Sequence, residues 1–231
     1  MTATRIIDAS DENYKEAVKA ACELLAAGEV VALPTETVYG LAANALDAAA
    51  VAKVFSVKER PTFDPLIVHV STRAELSRVA IVPADIKHTV EKLLNAFWPG
   101  PLTLILPKHP DIPDLVTSGL PTVAVRQSAN KIFRAVGKEL GQPLAAPSAN
   151  RFGRISPTSA YAVRQELDGR IPLIVDGGAC SEGLESTIIH ITAGEKRPTI
   201  TILRPGPVTK EMLQNFGKIE RPKKSRDPGS P

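Results

Sequence analysis

The residues best able to do chemistry fall into five polar clusters, each at the edge of an apolar run. In Lys58-Glu59-Arg60-Pro61 two cations stand two residues apart, where a helix must give way to extended chain. Arg60 can grip polyphosphate oxygens as a bidentate fork and Lys58 as a point charge, although both serve equally as counter-charges to a helix C-terminus. Asp64-Pro65-Leu66-Ile67-Val68-His69 follows, and His69 is either a ligand-facing imidazole or a satisfied, half-exposed one. Thr122-Val123-Ala124-Val125-Arg126 closes an apolar run on an arginine whose planar fork suits a carboxylate, a phosphate or a surface ion pair.

The other clusters offer neutral donors and close backbone approach. Pro34-Thr35-Glu36-Thr37 puts hydroxyls and a carboxylate where a strand emerges, either as ligand contacts or as caps of a turn. Ala145-Ala146-Pro147-Ser148-Ala149-Asn150, with Ser156-Pro157-Thr158 beyond it, surrounds a proline with small residues and hydroxyls. Asp176-Gly177-Gly178, Gly183-Leu184-Glu185-Ser186-Thr187 and Arg204-Pro205-Gly206 form the fifth group, in which Arg204 adds a third cation at a strand end. Familiar nucleotide and hydrolase signatures, GxxxxGK[ST], GxGxxG, HExxH, CxxC and GxSxG, are absent, so any nucleotide is held by another device.

Elements must position these clusters, and the pattern of apolar residues places them. Helices are expected over residues 13–27, capped by Ser10 or Asp11 and ended by Gly28, then over 47–60, 86–97, 129–140, 159–168 and 209–216. Strands are expected over 30–33, 66–70, 102–106, 122–125, 144–146, 171–175, 186–192 and 200–203, the last two as a pair. Such alternation argues for a mixed sheet with helices packed on it.

Composition excludes several classes. With 231 residues, 43% hydrophobic and 23% charged, the chain can bury a core of its own, and its 20 prolines suggest short elements joined by stiff turns. Of the 28 Lys and Arg and 25 Asp and Glu, residues 218–231 hold five and two, leaving 23 of each in a neutral body. That balance disfavours a globally basic nucleic-acid binder, and 4% aromatics disfavour base stacking. Two cysteines are too few for a disulfide framework or structural zinc site, and no leader-like or membrane-spanning apolar run is present, so cytoplasm is the expected location and no membrane is expected as a partner. Residues 218–231 have the composition of a basic, flexible tail or truncated linker.

In this order the motifs PTETVYG, KxRP…PLIVHV, WPGPLT, AVR, PSAN, GLESTI and LRPG resemble the YrdC/Sua5 family of threonylcarbamoyl-AMP synthases over about residues 14–206. The resemblance implies an α/β (α+β) fold, a twisted mixed sheet with flanking helices and a large central cleft, here as a catalytic domain over 10–206 and a short helix within 207–217. It also implies a nucleotidyltransferase that makes L-threonylcarbamoyladenylate from L-threonine, bicarbonate and ATP, with Mg2+ accompanying the nucleotide. The product would supply a downstream transferase complex that modifies adenosine 37 of tRNA, so tRNA is an indirect partner. By position, Lys58, Arg60, Asp64, Thr122, Ser148, Asn150, Ser156 and Arg204 fall on the family's ATP pattern, with Lys58 and Arg60 as the catalytic pair. Thr37, His69, Arg126, Ala146 and Ser186 fall on its threonine pattern. Asp64 stands where the family often has Asn, and a carboxylate there cannot donate to phosphate. An RNA-binding module of the same fold, without synthase activity, is the alternative, and a carbamoyl transferase akin to hydrogenase-maturation proteins is a second rival.

Overall fold

A computed structural model describes residues 3–220 and 222. The chain runs through β1 (Arg5–Asp8), α1 (Tyr14–Ala26), β2 (Val31–Leu33), β3 (Gly40–Asn44), α2 (Ala48–Lys58), β4 (Ile67–His69) and α3 (Leu76–Val79). It continues through α4 (Lys87–Phe97), β5 (Leu102–Pro107), α5 (Asp114–Thr117), β6 (Thr122–Arg126), α6 (Lys131–Leu140), β7 (Leu144–Ala145) and α7 (Ala160–Leu167). Last come β8 (Leu173–Asp176), β9 (Thr187–Thr192), β10 (Thr199–Arg204), α8 (Lys210–Leu213) and β11 (Lys218–Glu220). The strands join in one mixed sheet in the order β1-β8-β2-β3-β7-β4-β6-β5-β9-β10-β11.

Period-two alternation along the strands divides the core between the two faces of the sheet. Val31, Leu33, Ala42, Leu173 and Val175 face α1 and α6, whose Val18, Leu25, Phe133 and Val136 cover them. Ala32, Leu41, Ala43 and Ile174 face the other way, into the larger core with α2, α4 and α7. Both faces are covered there, whereas the face of β4, β6, β5 and β9 that carries Ile67, Ala124, Ile105 and Ile188 is only partly buried.

Helix ends follow local chemistry. Asp47 Oδ1 accepts from the N–H groups of Ala49 and Ala50 and starts α2, while Gly28, at φ 73°, closes α1 with Gly28 N–H to Leu25 O and Glu29 N–H to Leu24 O. Neither Ser10 nor Asp11 caps α1: residues 10–13 first form a turn closed by Asn13 N–H to Ser10 O, so the cap position falls on Asn13, whose side chain makes no capping bond. The expectation of a tail from residue 218 is also corrected, since Lys218–Glu220 form β11, parallel to Thr199–Thr201 of β10. The remaining tail, Pro222 apart, lies outside the described residues.

Candidate active site

Parallel pairing of β4 with β6 sets His69 directly beside Arg126 at the C-terminal ends of two central strands. Antiparallel pairing of β9 with β10 returns Arg204 to the start of β9, opposite Ile188 and next to Ser186. A cleft of about 380 Å3 opens along these ends, lined by Thr37, Arg60, Asp64, His69, Arg126, Ala146, Ser148, Ser186 and Arg204 of the residues singled out in the sequence. Its floor is apolar: Ile67, Ile105, Ala124 and Ile188 face the same space.

Arg126 is buried and held on three sides. Its Nε donates to Gly100 O at 3.2 Å, Nη1 donates to Thr37 Oγ1 at 2.8 Å, and Nη2 lies 2.6 Å from Glu36 Oε1, a contact of charge with charge outside hydrogen-bond angles. Of the five guanidinium N–H bonds, that of Nε and one of Nη1 donate, so three make no hydrogen bond, enough for one carboxylate. Burial alone would raise the Glu36 pKa, but the Arg126 charge and a hydrogen bond from Ser128 Oγ more than reverse it, so Glu36 is ionised well below the usual carboxylate range. The pair is an internal salt.

Arg60 and Arg204 are built alike. Arg60 Nε donates to Asp64 O at 3.0 Å and Nη2 to Pro65 O at 2.9 Å, while Nη2 also pairs with Asp64 Oδ2 at 2.9 Å. Asp64 thus has a place without donating to anything: it compensates Arg60. Arg204 Nε donates to Ser186 O at 3.0 Å, Nη2 to Ser186 Oγ at 2.9 Å, and Nη1 bonds to Glu185 Oε2. Ser186 Oγ in turn lies 2.7 Å from Thr103 Oγ1, and Ser156 Oγ donates to Glu185 Oε1 at 2.6 Å.

Lys58 does not line the cleft. Glu59, in the left-handed region at φ 54°, ends α2 and turns Lys58 inward while Arg60 emerges at the opening. Lys58 is 1% exposed, and its Nζ donates to the carbonyls of Ser148 and Asn150, fixing the Ala146–Asn150 loop from behind. Burial, and then the nearby Arg60 charge, lower its pKa to about 7. Asn150 is likewise turned inward, its Nδ2 donating to Arg151 O and Arg154 O. Thr122 begins β6 opposite Pro107, at the strand end away from Arg126, and is not among the lining residues.

Residues 23–206 match the Sua5/YciO/YrdC family, described as "Telomere recombination". The chain belongs to that family. It is 42% identical over 217 residues to the threonylcarbamoyl-AMP synthase of Pyrococcus abyssi, covering 94% of this chain and 62% of the relative. To the threonylcarbamoyl-AMP synthase of Bacillus subtilis it is 45% identical over 212 residues, 90% of this chain and 59% of the relative. A crystal structure of P. abyssi Sua5 complexed with L-threonine superposes with a TM-score of 0.84 at 41% identity, over 95% of this chain and 63% of that one. The chain thus spans about three fifths of the length of these Sua5 relatives.

Within this Sua5/YrdC domain, Thr35 and Glu185 also line the cleft, inside runs the sequence singled out without giving either a binding role, and sequence reasoning passed over the apolar floor. A signal for the floor existed: Ile67, Ala124 and Ile188 each sit two residues from His69, Arg126 and Ser186, hence on the same strand face. Glu185 adjoins Ser186 in a run already singled out. His69 is a neutral imidazole, its pKa pushed down to about 3 by burial and then by the Arg126 charge, and its Nδ1 is buried without a partner.

Proposed function

We propose that this domain makes L-threonylcarbamoyladenylate from L-threonine, bicarbonate and ATP, releasing pyrophosphate, for later transfer to adenosine 37 of tRNA by a separate transferase complex. The observation that carries it is one cleft that gathers Arg126 with its partners Thr37 and His69, and also Arg60 and Arg204, over an apolar floor. Support comes from the relatives named threonylcarbamoyl-AMP synthase and from the P. abyssi Sua5 crystal structure titled as complexed with L-threonine.

In this scheme Arg126 N–H bonds that make no internal hydrogen bond take the threonine carboxylate, and the hydroxyls of Thr37 and Ser186 with the Ala146 backbone take its polar groups. His69, kept neutral, offers Nδ1 as an acceptor rather than competing as a cation. The threonine amine, after losing a proton to solvent, adds bicarbonate to form a carbamate with loss of water. A carbamate oxygen then attacks the α-phosphorus in line, the bond from that phosphorus to the α,β-bridging oxygen breaks, and pyrophosphate leaves. Such a transfer rests on positioning and charge neutralisation rather than a covalent nucleophile. Arg60 and Arg204 supply that charge at the cleft surface, with Ser148 beside them and Ser156 reaching the cleft through Glu185, whereas Asn150 and Thr122, placed on the nucleotide pattern by the sequence, stand outside its lining. Lys58 acts from behind, holding the loop that carries Ser148.

Mg2+ is treated as part of the substrate, entering on the triphosphate. Among the described residues no three His, Cys, Asp or Glu side chains come together to hold a metal ion, and the nearest carboxylates, Asp64 and Glu185, are engaged with arginines. Among the same residues no helix is long and apolar enough to cross a membrane. The test is pyrophosphate release from ATP with threonine and bicarbonate omitted in turn. Release is expected only when both are present; release that ignores either one overturns the assignment, and tight tRNA binding without any release would favour the RNA-binding alternative.

A further inference from the structure

The three cleft arginines share a construction. Each is held by neutral acceptors, which are Asp64 O and Pro65 O for Arg60, Gly100 O and Thr37 Oγ1 for Arg126, and Ser186 O and Oγ for Arg204. Each also carries one carboxylate: Asp64, Glu36 and Glu185 respectively. The neutral acceptors fix direction, so the carboxylates are left to set charge. Glu36 is buried in the wall, whereas Glu185 lines the cleft itself and is about one third exposed.

Glu185 touches both groups proposed for the nucleotide on that side, accepting from Ser156 Oγ through Oε1 and pairing with Arg204 through Oε2. Its backbone lies close against Gly206, where a Cβ would stand 2.4 Å from Glu185 O. The side chain can shift to make room. We propose that Glu185 is a resident counter-anion that occupies Arg204 and Ser156 until phosphate oxygens replace its carboxylate, and that takes them back as pyrophosphate departs. Two anions cannot share the same two donors, so the carboxylate weakens phosphate binding at equilibrium and hastens release. Arg204 remains aimed by Ser186 throughout. This rests on the ATP reading above and adds a residue that sets the affinity of that site.

The experiment compares Mg2+–ATP and Mg2+–pyrophosphate binding by titration calorimetry in the wild-type chain, Glu185→Gln and Glu185→Ser, with thermal unfolding to establish that each variant is folded. Both variants are expected to bind pyrophosphate and ATP at least fivefold more tightly, with adenosine binding unchanged and pyrophosphate release slower in stopped-flow. Equal or weaker pyrophosphate binding in the folded variants would overturn the proposal and make Glu185 a positioning residue for Arg204. Failure of wild type and variants alike to bind ATP would instead overturn the nucleotide reading itself, and this proposal with it.

Discussion

At the scale of single residues, the arrangement separates aiming from charging. Arg126 illustrates the consequence, since its bonds to Gly100 O and Thr37 Oγ1 hold a planar fork that a lysine cannot reproduce. Arg126→Lys should raise the KM for threonine roughly tenfold or more, the worth of about 1.5–3 kcal/mol in charge-assisted hydrogen bonds, and leave the KM for ATP nearly unchanged. Steady-state kinetics with each substrate varied separately checks this, and equal shifts in both constants would contradict it. Lys58 predicts the reverse split. Replacing it by Met removes the donor shared by the Ser148 and Asn150 carbonyls and leaves buried acceptors unsatisfied, a cost of about 2–4 kcal/mol. A fall in Tm of about 5–15 °C is expected in thermal unfolding, together with a KM for ATP that rises more than the KM for threonine. An unchanged Tm would mean the loop does not depend on the amine.

At the scale of elements, the site depends on how closely two strand ends approach. Gly206, just beyond β10, faces backbone on every side: a Cβ would meet Glu185 O at 2.4 Å, Thr187 N at 2.5 Å and Ser186 C at 2.8 Å. Gly206→Ala must push β10 away from β9, costing about 1–3 kcal/mol and drawing Arg204 off Ser186. Gly217 is a matched control, because its Cβ would meet Pro198 O at 2.6 Å, near the start of β10 and outside the cleft lining. Both variants should unfold at lower temperature, but only Gly206→Ala should raise the KM for ATP; equal KM values would show that the approach of the strands does not place Arg204. The same scale shows what was legible in advance. Val51, Val54 and Phe55 announced α2, and Thr122–Arg126 announced β6, because each buries a face with the period of its element. Gly40–Asn44 announced nothing, having no β-branched residue, and became β3 because β2 and β7 pair with it on both sides. Its small residues admit close packing, with Ala146 Cβ only 3.3 Å from where a Gly40 Cβ would stand. The site was read from residue types at strand ends, and what stayed hidden was which partner each cation had: no spacing rule couples Arg126 to Glu36 or Lys58 to two carbonyls, since those contacts are made by the sheet.

At the scale of the whole molecule, burying the end of the cleft proposed for threonine ties its charge state to stability. His69 is fully buried against Phe133, with ring centroids 4.9 Å apart, and its pKa falls from 6.5 to about 3 through burial and then the Arg126 charge. The unfolded chain therefore takes up a proton near pH 6.5 that the folded chain refuses until about pH 3. Because the unfolded state binds more protons across that window, the stability that depends on a neutral His69 is complete above pH 6.5 and falls as the pH is lowered, by up to ~1.4 kcal/mol per pH unit. Glu36, held below its ordinary 4.5 despite burial, adds a second loss that begins only below that value. The interval between pH 6.5 and 4.5 thus reports on His69 with little contribution from Glu36. Urea unfolding across it should show the wild-type chain losing about 2–3 kcal/mol, while His69→Gln, less stable at pH 7, shows a much flatter profile. Parallel profiles for the two proteins would mean that the imidazole takes its proton in the folded state as readily as in the unfolded one, and the neutral acceptor assigned to the threonine end of the cleft would have to be given up.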